Sequence, residues 1–278
     1  MIDSNGSRYV FVKKQANKSQ PTLNQTGPVI PLLVAHRGDR GRFPENTRSA
    51  IEAALKCGAC YVEFDVQLTK DGVPVVCHDI DLQRVTGQAG NLLEMDYAEL
   101  TVYSAHEPQR FGARFSYEPI TDLANMVHLL QHWPQVTAFV EIKRASLRHF
   151  GVETVLSRLR EVLQPVQQHC VLISFDDAVL QSARDYGFSR IGWVFDEWQD
   201  DNIVLAEQLQ PDFLFTDVDC VPTEVEGLWM GPWQWVVYEV SDPTVALLWA
   251  NRGADLVETD NISVMLQSPL LPQAPCGS

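Results

Sequence analysis

Two short segments place ionisable side chains inside otherwise apolar runs. In Tyr61-Val62-Glu63-Phe64-Asp65-Val66-Gln67 the acidic and apolar residues alternate, so a strand there turns Glu63 and Asp65 to one face and Val62, Phe64 and Val66 to the other. Two carboxylates on one face of an apolar strand repel and are costly to desolvate unless a cation or solvent compensates. Phe139-Val140-Glu141-Ile142-Lys143 repeats the pattern, with Glu141 and Lys143 on one face. A third apolar run, Pro31 to Ala35, ends at His36-Arg37-Gly38. In Thr69-Lys70-Asp71-Gly72 the Asp-Gly pair lies between two alternating runs and predicts a two-residue hairpin loop. With Lys70 opposite Val73, Asp65 faces His78, which brings a second histidine to the carboxylates.

These side chains form a chemically coherent set. Glu63, Asp65 and Glu141 offer only oxygen, which suits a hard divalent cation, Mg²⁺ or Ca²⁺, better than zinc. Such an ion withdraws charge from phosphate oxygens, and His36 and His78, titrating near neutrality, supply a general acid and a general base. Arg37 and Lys143 add positive charge for an anion. Together they are equipped to cleave a phosphodiester.

The rest of the chain must bring these segments to one place. From Pro28 onward, short apolar runs alternate with helical stretches, the signature of parallel βα units. Strands are predicted at 32–35, 61–67, 137–143, 171–175, 191–195, 213–217, 235–240 and 256–259, with a return arm at 73–77. Helices are predicted at 47–57, 122–133, 177–186 and 243–252, each stopped by glycine or proline. Eight strands in roughly 250 residues predict an α/β fold, a (β/α)₈ TIM-type barrel, whose active sites lie at the carboxyl ends of the strands. The long stretch 79–119 reads as a small insertion after the second-strand hairpin, above one mouth. The predicted organisation is an extension over 1–28, a barrel over 29–268 and a frayed tail over 269–278.

The same residues resemble a known family. His36-Arg37-Gly38, Pro44-Glu45-Asn46-Thr47, Glu63-Phe64-Asp65-Val66, Thr69-Lys70-Asp71-Gly72 and His78-Asp79 resemble, in order and spacing, the fingerprint of glycerophosphodiester phosphodiesterases. Weaker similarity continues through Arg84-Val85-Thr86-Gly87, Val140-Glu141-Ile142-Lys143, Gly253-Ala254-Asp255 and Thr259-Asp260. The resemblance implies a (β/α)₈ barrel that hydrolyses deacylated phospholipids, such as glycerophosphocholine or glycerophosphoethanolamine, to glycerol 3-phosphate and an alcohol. It implies that Glu63, Asp65 and Glu141 hold one divalent cation, Mg²⁺ or Ca²⁺, that His36 and His78 are the acid and base, and that Arg37 and Lys143 bind phosphate. Many relatives carry Trp-Thr where this chain reads Tyr238-Glu239, which leaves the alcohol group open. A lysophospholipase D-like activity on the same barrel and a non-catalytic phosphodiester-binding protein are the alternatives.

Charge and composition set outer limits. A formal charge of −15 disfavours nucleic acid and anionic surfaces, although three arginines against Asp39 and Glu45 between His36 and Asn46 make that loop locally positive. The expected partner is a small glycerophosphodiester. No run of about 18 apolar residues occurs, so no membrane span is expected. Six cysteines are too sparse for a disulfide scaffold, which predicts reduced thiols and a cytoplasmic protein. In Cys57-Gly58-Ala59-Cys60 the expected roles are a helix end, a cap and packing. Asn46 is as well placed to cap a helix as to touch substrate. Trp193, Trp229, Trp233 and Trp235 are expected to pack rather than to box an ammonium, and the histidines other than His36 and His78 are expected at the surface, His106 being the possible exception.

Overall fold

The computed structural model describes residues 29–277, so the extension expected over 1–28 lies outside the described residues. Strands β1 (Leu32–Ala35), β2 (Tyr61–Leu68), β3 (Pro74–Val76), β4 (Thr137–Ile142), β5 (Cys170–Ser174), β6 (Ile191–Phe195), β7 (Phe213–Asp217), β8 (Gln234–Tyr238) and β9 (Leu256–Thr259) form one sheet. Its order is β1-β9-β8-β7-β6-β5-β4-β2-β3, and a further β1–β2 pairing closes it. All pairings are parallel except β2–β3, so β3 is a hairpin arm outside a closed barrel of eight parallel strands. The barrel predicted from strand count is the architecture found.

Alternation along the strands divides the core in two. Val34, Phe139, Val171, Val194, Phe213, Phe215, Val236 and Leu256 fill the barrel interior, whereas Val62, Phe64, Val66, Ala138, Val140 and Ile142 face the surrounding helices. The register pairs Asp65 with Glu141 across β2 and β4, and Val34 with Glu258 across β1 and β9. The register therefore sets the inner acidic residues of β2 and β4 side by side, and Glu258 stands on the inner face of β9.

The helical shell is α1 (Arg48–Lys56), α2 (Gln83–Thr86), α3 (Tyr97–Leu100), α4 (Pro108–Phe111), α5 (Leu123–Leu130), α6 (Arg144–Phe150), α7 (Val152–Leu163), α8 (Asp177–Ala183), α9 (Asp200–Leu209), α10 (Pro243–Asn251) and α11 (Ile262–Leu266). Helix α1 shows why such segments form: Ala50, Ile51, Ala54 and Leu55 make one buried stripe, and Thr47 Oγ1 accepts the Ala50 N–H at its start. The cap is thus Thr47, and Asn46 is free for other work. Helices α2, α3 and α4 lie within 79–119, where Leu82, Val85, Leu92 and Leu100 pack on Val75 and Cys77 as a small apolar cluster of their own.

Three expectations are corrected. The hairpin forms, but its register is Val66 opposite Val76 and Leu68 opposite Pro74, one residue away from the predicted pairing. The loop is Lys70-Asp71-Gly72, closed by Thr69 N–H to Val73 O at 3.0 Å, because Gly72 at φ +78° takes the left-handed position of a three-residue loop. Asp65 therefore lies opposite Cys77, whose N–H donates to Asp65 O at 3.0 Å, and His78 follows after the strand has ended. Second, the thiols are not all reduced: Cys60 is disulfide-bonded to Cys276. Third, the segment after Ser268 is not frayed, since Leu271 is completely buried and Gln273 Nε2 donates to Pro31 O at 3.0 Å.

Candidate active site

The segment after β1 organises the mouth of the barrel. Arg37 adopts φ +52° and Gly38 φ +86°, a sharp turn off the strand. A Cβ on Gly38 would lie 2.5 Å from the Ala50 backbone, so only glycine lets α1 approach this closely. The turn aims the Arg37 N–H at Glu63 Oε2, 3.0 Å away, and sends its guanidinium to Glu45 Oε1 and Asp65 Oδ2, each at 3.0 Å. Asn46, at φ +58°, brackets Asp65: its Nδ2 donates to Asp65 Oδ2 at 2.8 Å and its Oδ1 accepts the Asp65 N–H at 3.0 Å. Left-handed backbone at two non-glycine residues is strain that the packing around them holds in place.

Both histidines are oriented by a carboxylate. His36 Nδ1 lies 2.8 Å from Asp260 Oδ1, and its Nε2 lies 3.8 Å from Glu258 Oε1. His78 Nδ1 lies 2.6 Å from Asp79 Oδ1, and Asp79 Oδ2 accepts from Arg84 Nε at 2.6 Å. With Nδ1 engaged in each ring, Nε2 is the nitrogen left for substrate. Lys143 Nζ sits between Glu141 Oε1 at 2.7 Å and Asp65 Oδ1 at 3.1 Å.

Burial and charge pull the ionisations apart. Burial, reinforced by Asp65, Glu258 and Glu141, holds the Glu63 carboxyl well above the usual carboxylate range. Burial beside Asp65 pushes Glu141 up to about 7 despite Lys143, and burial lifts Glu258 to about 7 against the pull of His36 and Arg37. Asp65 goes the other way: burial alone would raise it, but Arg37 and Lys143 hold it far below its ordinary value. His36 is raised, since Glu258 and Asp260 outweigh the burial that would lower it. Burial would raise Glu45 too, but Arg84, Arg37 and Arg40 bring it down to about 2. The Oε1 atom of Glu63 is buried with no hydrogen-bond partner among the described residues. An orphaned carboxylate oxygen among two further carboxylates is the arrangement a hard cation satisfies. Glu63, Asp65 and Glu141 can bring ligand atoms within 4.8 Å of one another, and so can His36, Glu63 and Glu258.

Six of the seven residues singled out in the sequence line one pocket of about 450 Å³: His36, Arg37, Glu63, His78, Glu141 and Lys143. Asp65 lies beneath it, completely buried. The sequence reading missed the site role of Glu258, which also lines the pocket, and the hold of Asp260 on His36. The signal was present, since Leu256-Val257-Glu258-Thr259 puts a carboxylate in an apolar strand just as Tyr61–Gln67 does. Trp193, Trp233 and Trp235 belong to the outer core with Trp229 packed against it, and His106 bonds through Nδ1 to Ser104 O outside the pocket lining.

Residues 36–149 match the Glycerophosphoryl diester phosphodiesterase family. Over that stretch, less than half of the chain, the sequence is similar to that family. It is 36% identical over 125 residues to a glycerophosphodiester phosphodiesterase of Caldanaerobacter subterraneus, covering 45% of this chain and 50% of that protein. It is 35% identical over 118 residues to a lysophospholipase D of Mus musculus, covering 42% of this chain and 36% of that protein. The chain thus spans about half or less of the length of these curated relatives. The fold is also that of an Oleispira antarctica phosphodiesterase solved with the product sn-glycerol 3-phosphate, with a TM-score of 0.73 and 24% identity over 85% of this chain and 95% of the other. The matched stretch carries every residue that the sequence singled out as a site, and Glu258 and Asp260 come from beyond it.

Proposed function

We propose that this chain hydrolyses glycerophosphodiesters, such as glycerophosphocholine or glycerophosphoethanolamine, to glycerol 3-phosphate and an alcohol. The observation that carries this reading is the meeting, in one pocket, of two carboxylate-oriented histidines with an acidic group whose Glu63 Oε1 has no hydrogen-bond partner among the described residues. Glu63, Asp65 and Glu141 would hold one divalent cation, Mg²⁺ or Ca²⁺. Bound there, it supplies Lewis-acid stabilisation of charge on the phosphate oxygens. With those carboxylates occupied, Lys143 and Arg37 have positive charge to offer the phosphate. His36, favoured as imidazolium between Asp260 and Glu258, gives its Nε2 proton to the departing alcohol oxygen. His78 takes a proton through Nε2 from the attacking oxygen, either water or the glycerol hydroxyl beside the phosphate. Asp260 and Asp79 fix the two rings, and the arginines around Glu45 keep the β1 turn in place.

The test is release of glycerol 3-phosphate from glycerophosphocholine by purified protein. Activity should need Mg²⁺ or Ca²⁺, stop with EDTA, and fall by at least about a hundredfold in His36→Ala and His78→Ala. A rate indifferent to EDTA and to both substitutions would overturn the reading. A lysophospholipid substrate is the second reading, favoured by Val102 and Tyr117, which stand 79% and 99% exposed in the 79–119 insertion; a lysophosphatidylcholine arm in the same assay decides it. The cytoplasmic setting rested on reduced thiols, and the Cys60–Cys276 bond favours an oxidising compartment instead.

A further inference from the structure

The two histidine rings are joined by an unbroken run of charged contacts that passes outside the pocket lining. From His36 it runs through Asp260 to Arg40, whose Nη1 donates to Asp260 Oδ2 at 2.5 Å and whose Nε donates to Glu45 Oε2 at 2.9 Å. From His78 it runs through Asp79 to Arg84, whose Nε donates to Asp79 Oδ2 at 2.6 Å and whose Nη2 donates to Glu45 Oε1 at 2.7 Å. The two arms therefore meet on one carboxylate, and the Glu45 side chain is only 1% exposed. Arg84 comes from α2 in the 79–119 insertion, where Val85 and Thr86 beside it are buried. The insertion also holds Glu45 from a second direction: buried Glu107 accepts the Glu45 N–H at 2.9 Å and an Arg110 N–H at 2.8 Å. Of the three arginines on Glu45, Arg37 and Arg40 belong to the turn after β1, and Arg84 is the one that also holds Asp79.

We propose that Arg84 is a positioning residue for the reaction: by bridging Asp79 and Glu45 it fixes the place of the His78 ring relative to His36. The proposal rests on the diesterase reading and adds to it a task for the insertion. An acid and a base that serve the leaving and attacking oxygens of one in-line displacement must stand at a set separation, and a misplacement of about 1 Å can cost on the order of a hundredfold. His36 follows a barrel strand directly, but His78 follows the hairpin arm β3, which lies outside the closed barrel. The barrel alone therefore does not fix that separation. Asp79 orients the His78 ring, yet its own side chain is 28% exposed and is held in turn by Arg84. A guanidinium offers two N–H groups in one rigid plane, one for each carboxylate, which the ammonium of a lysine on its flexible stem does not reproduce. Without Arg84, Glu45 keeps Arg37 and Arg40, so His36 and the inner carboxylates stay in place and the damage falls on His78.

The experiment measures kcat and KM for glycerophosphocholine and for a glycerophosphodiester with a p-nitrophenyl leaving group. It compares the wild type with Arg84→Met, Arg84→Lys, Asp79→Asn, Asp260→Asn and the double variant Arg84→Met with Asp79→Asn. Arg84→Met should lower kcat about tenfold or more with KM unchanged, and equally for both diesters, because the attacking oxygen must lose its proton whatever leaves. Asp260→Asn, which acts on the departing side, should spare the p-nitrophenyl diester, whose alcohol leaves without a proton. On the Asp79→Asn background Arg84→Met should add less than about twofold, since it acts through Asp79. Arg84→Lys keeps a charge among the carboxylates and with it the fold, and should still lose at least about threefold. Full activity in Arg84→Lys, a loss confined to one diester, or losses that multiply in the double variant would overturn the positioning role while leaving the diesterase reading standing. A wild type that cleaves neither diester overturns both.

Discussion

The two poles of this barrel are built on opposite principles. At the carboxyl ends of the strands lie buried carboxylates, left-handed backbone at Arg37, Asn46 and Glu239, and an orphaned oxygen on Glu63. At the amino ends the chain is tied down: the tail seats Leu271, Gln273 reaches Pro31, and Cys276 is bonded to Cys60 at the start of β2. One pole holds charge and strain that folding alone would not select, and the other supplies stability that the first consumes. Stability and chemistry are thus separable along the barrel axis, and substitutions at the two poles should separate them.

The sharpest break should come at Glu63. Glu63→Gln keeps an oxygen for the Arg37 N–H and replaces a carboxyl whose charged form burial and its acidic neighbours disfavour, so the cation-free protein should melt no lower than the wild type, and activity should fall on the order of 10³-fold, beyond the 10–100-fold typical of residues that only support a ligand. Thermal melts without metal, paired with the diesterase assay, check both halves. A variant that loses stability and activity together would mean that the mouth is not strained in the way described.

The mirror image lies at the other pole. Cys276→Ser opens a bond that spans 216 residues of sequence and should cost about 2–4 kcal/mol in urea unfolding, with kcat/KM at 25 °C unchanged. A comparable loss of catalysis would show that the poles communicate.

Smaller than either is a dependence on pH. Glu141 and Glu258 are raised to about 7 from 4.5, so the stability they permit is full below about 4.5 and is lost as pH rises through 7. Glu45, lowered to about 2, contributes in the opposite sense: its stabilisation is present above 4.5 and is lost as pH falls toward 2. The cation-free protein should therefore be most stable near pH 5 and melt roughly 5 °C lower at pH 8, about one to two kcal/mol in a chain of this length. Millimolar Mg²⁺ or Ca²⁺ should restore more at pH 8 than at pH 5. Equal restoration at both would remove the link between these carboxyls and the cation.

The same division explains what could be read from the sequence. Period-two alternation places Glu63, Asp65, Glu141 and Lys143 on the inner face, because a strand offers its side chains only two directions. The hairpin was legible from Asp71-Gly72, but its register was not, since Lys70 can enter the loop or pair and nothing local decides between them. Asp260 was noticed only through its resemblance to a family pattern; its grip on His36 joins residues 224 apart. The Cys60–Cys276 bond was beyond reach, because six cysteines permit many pairings and spacing selects none.

The smallest effect tests whether the strain at the mouth is real. Asn46 sits at φ +58° and clamps Asp65 through two hydrogen bonds. Asn46→Ala loses the clamp and keeps the backbone cost; Asn46→Gly loses the clamp and relieves it. Both variants should lower activity by about tenfold, because in each Asp65 has lost the same orienting partner. In stability they should differ, with glycine milder than alanine by about 1 kcal/mol in urea unfolding, the cost of a left-handed residue with a Cβ. Equal stability would show that the turn is unstrained and that the asymmetry between the poles is one of charge alone. Unchanged activity would show instead that Arg37 and Lys143 suffice to hold Asp65, and the strain at Asn46 would then need another purpose.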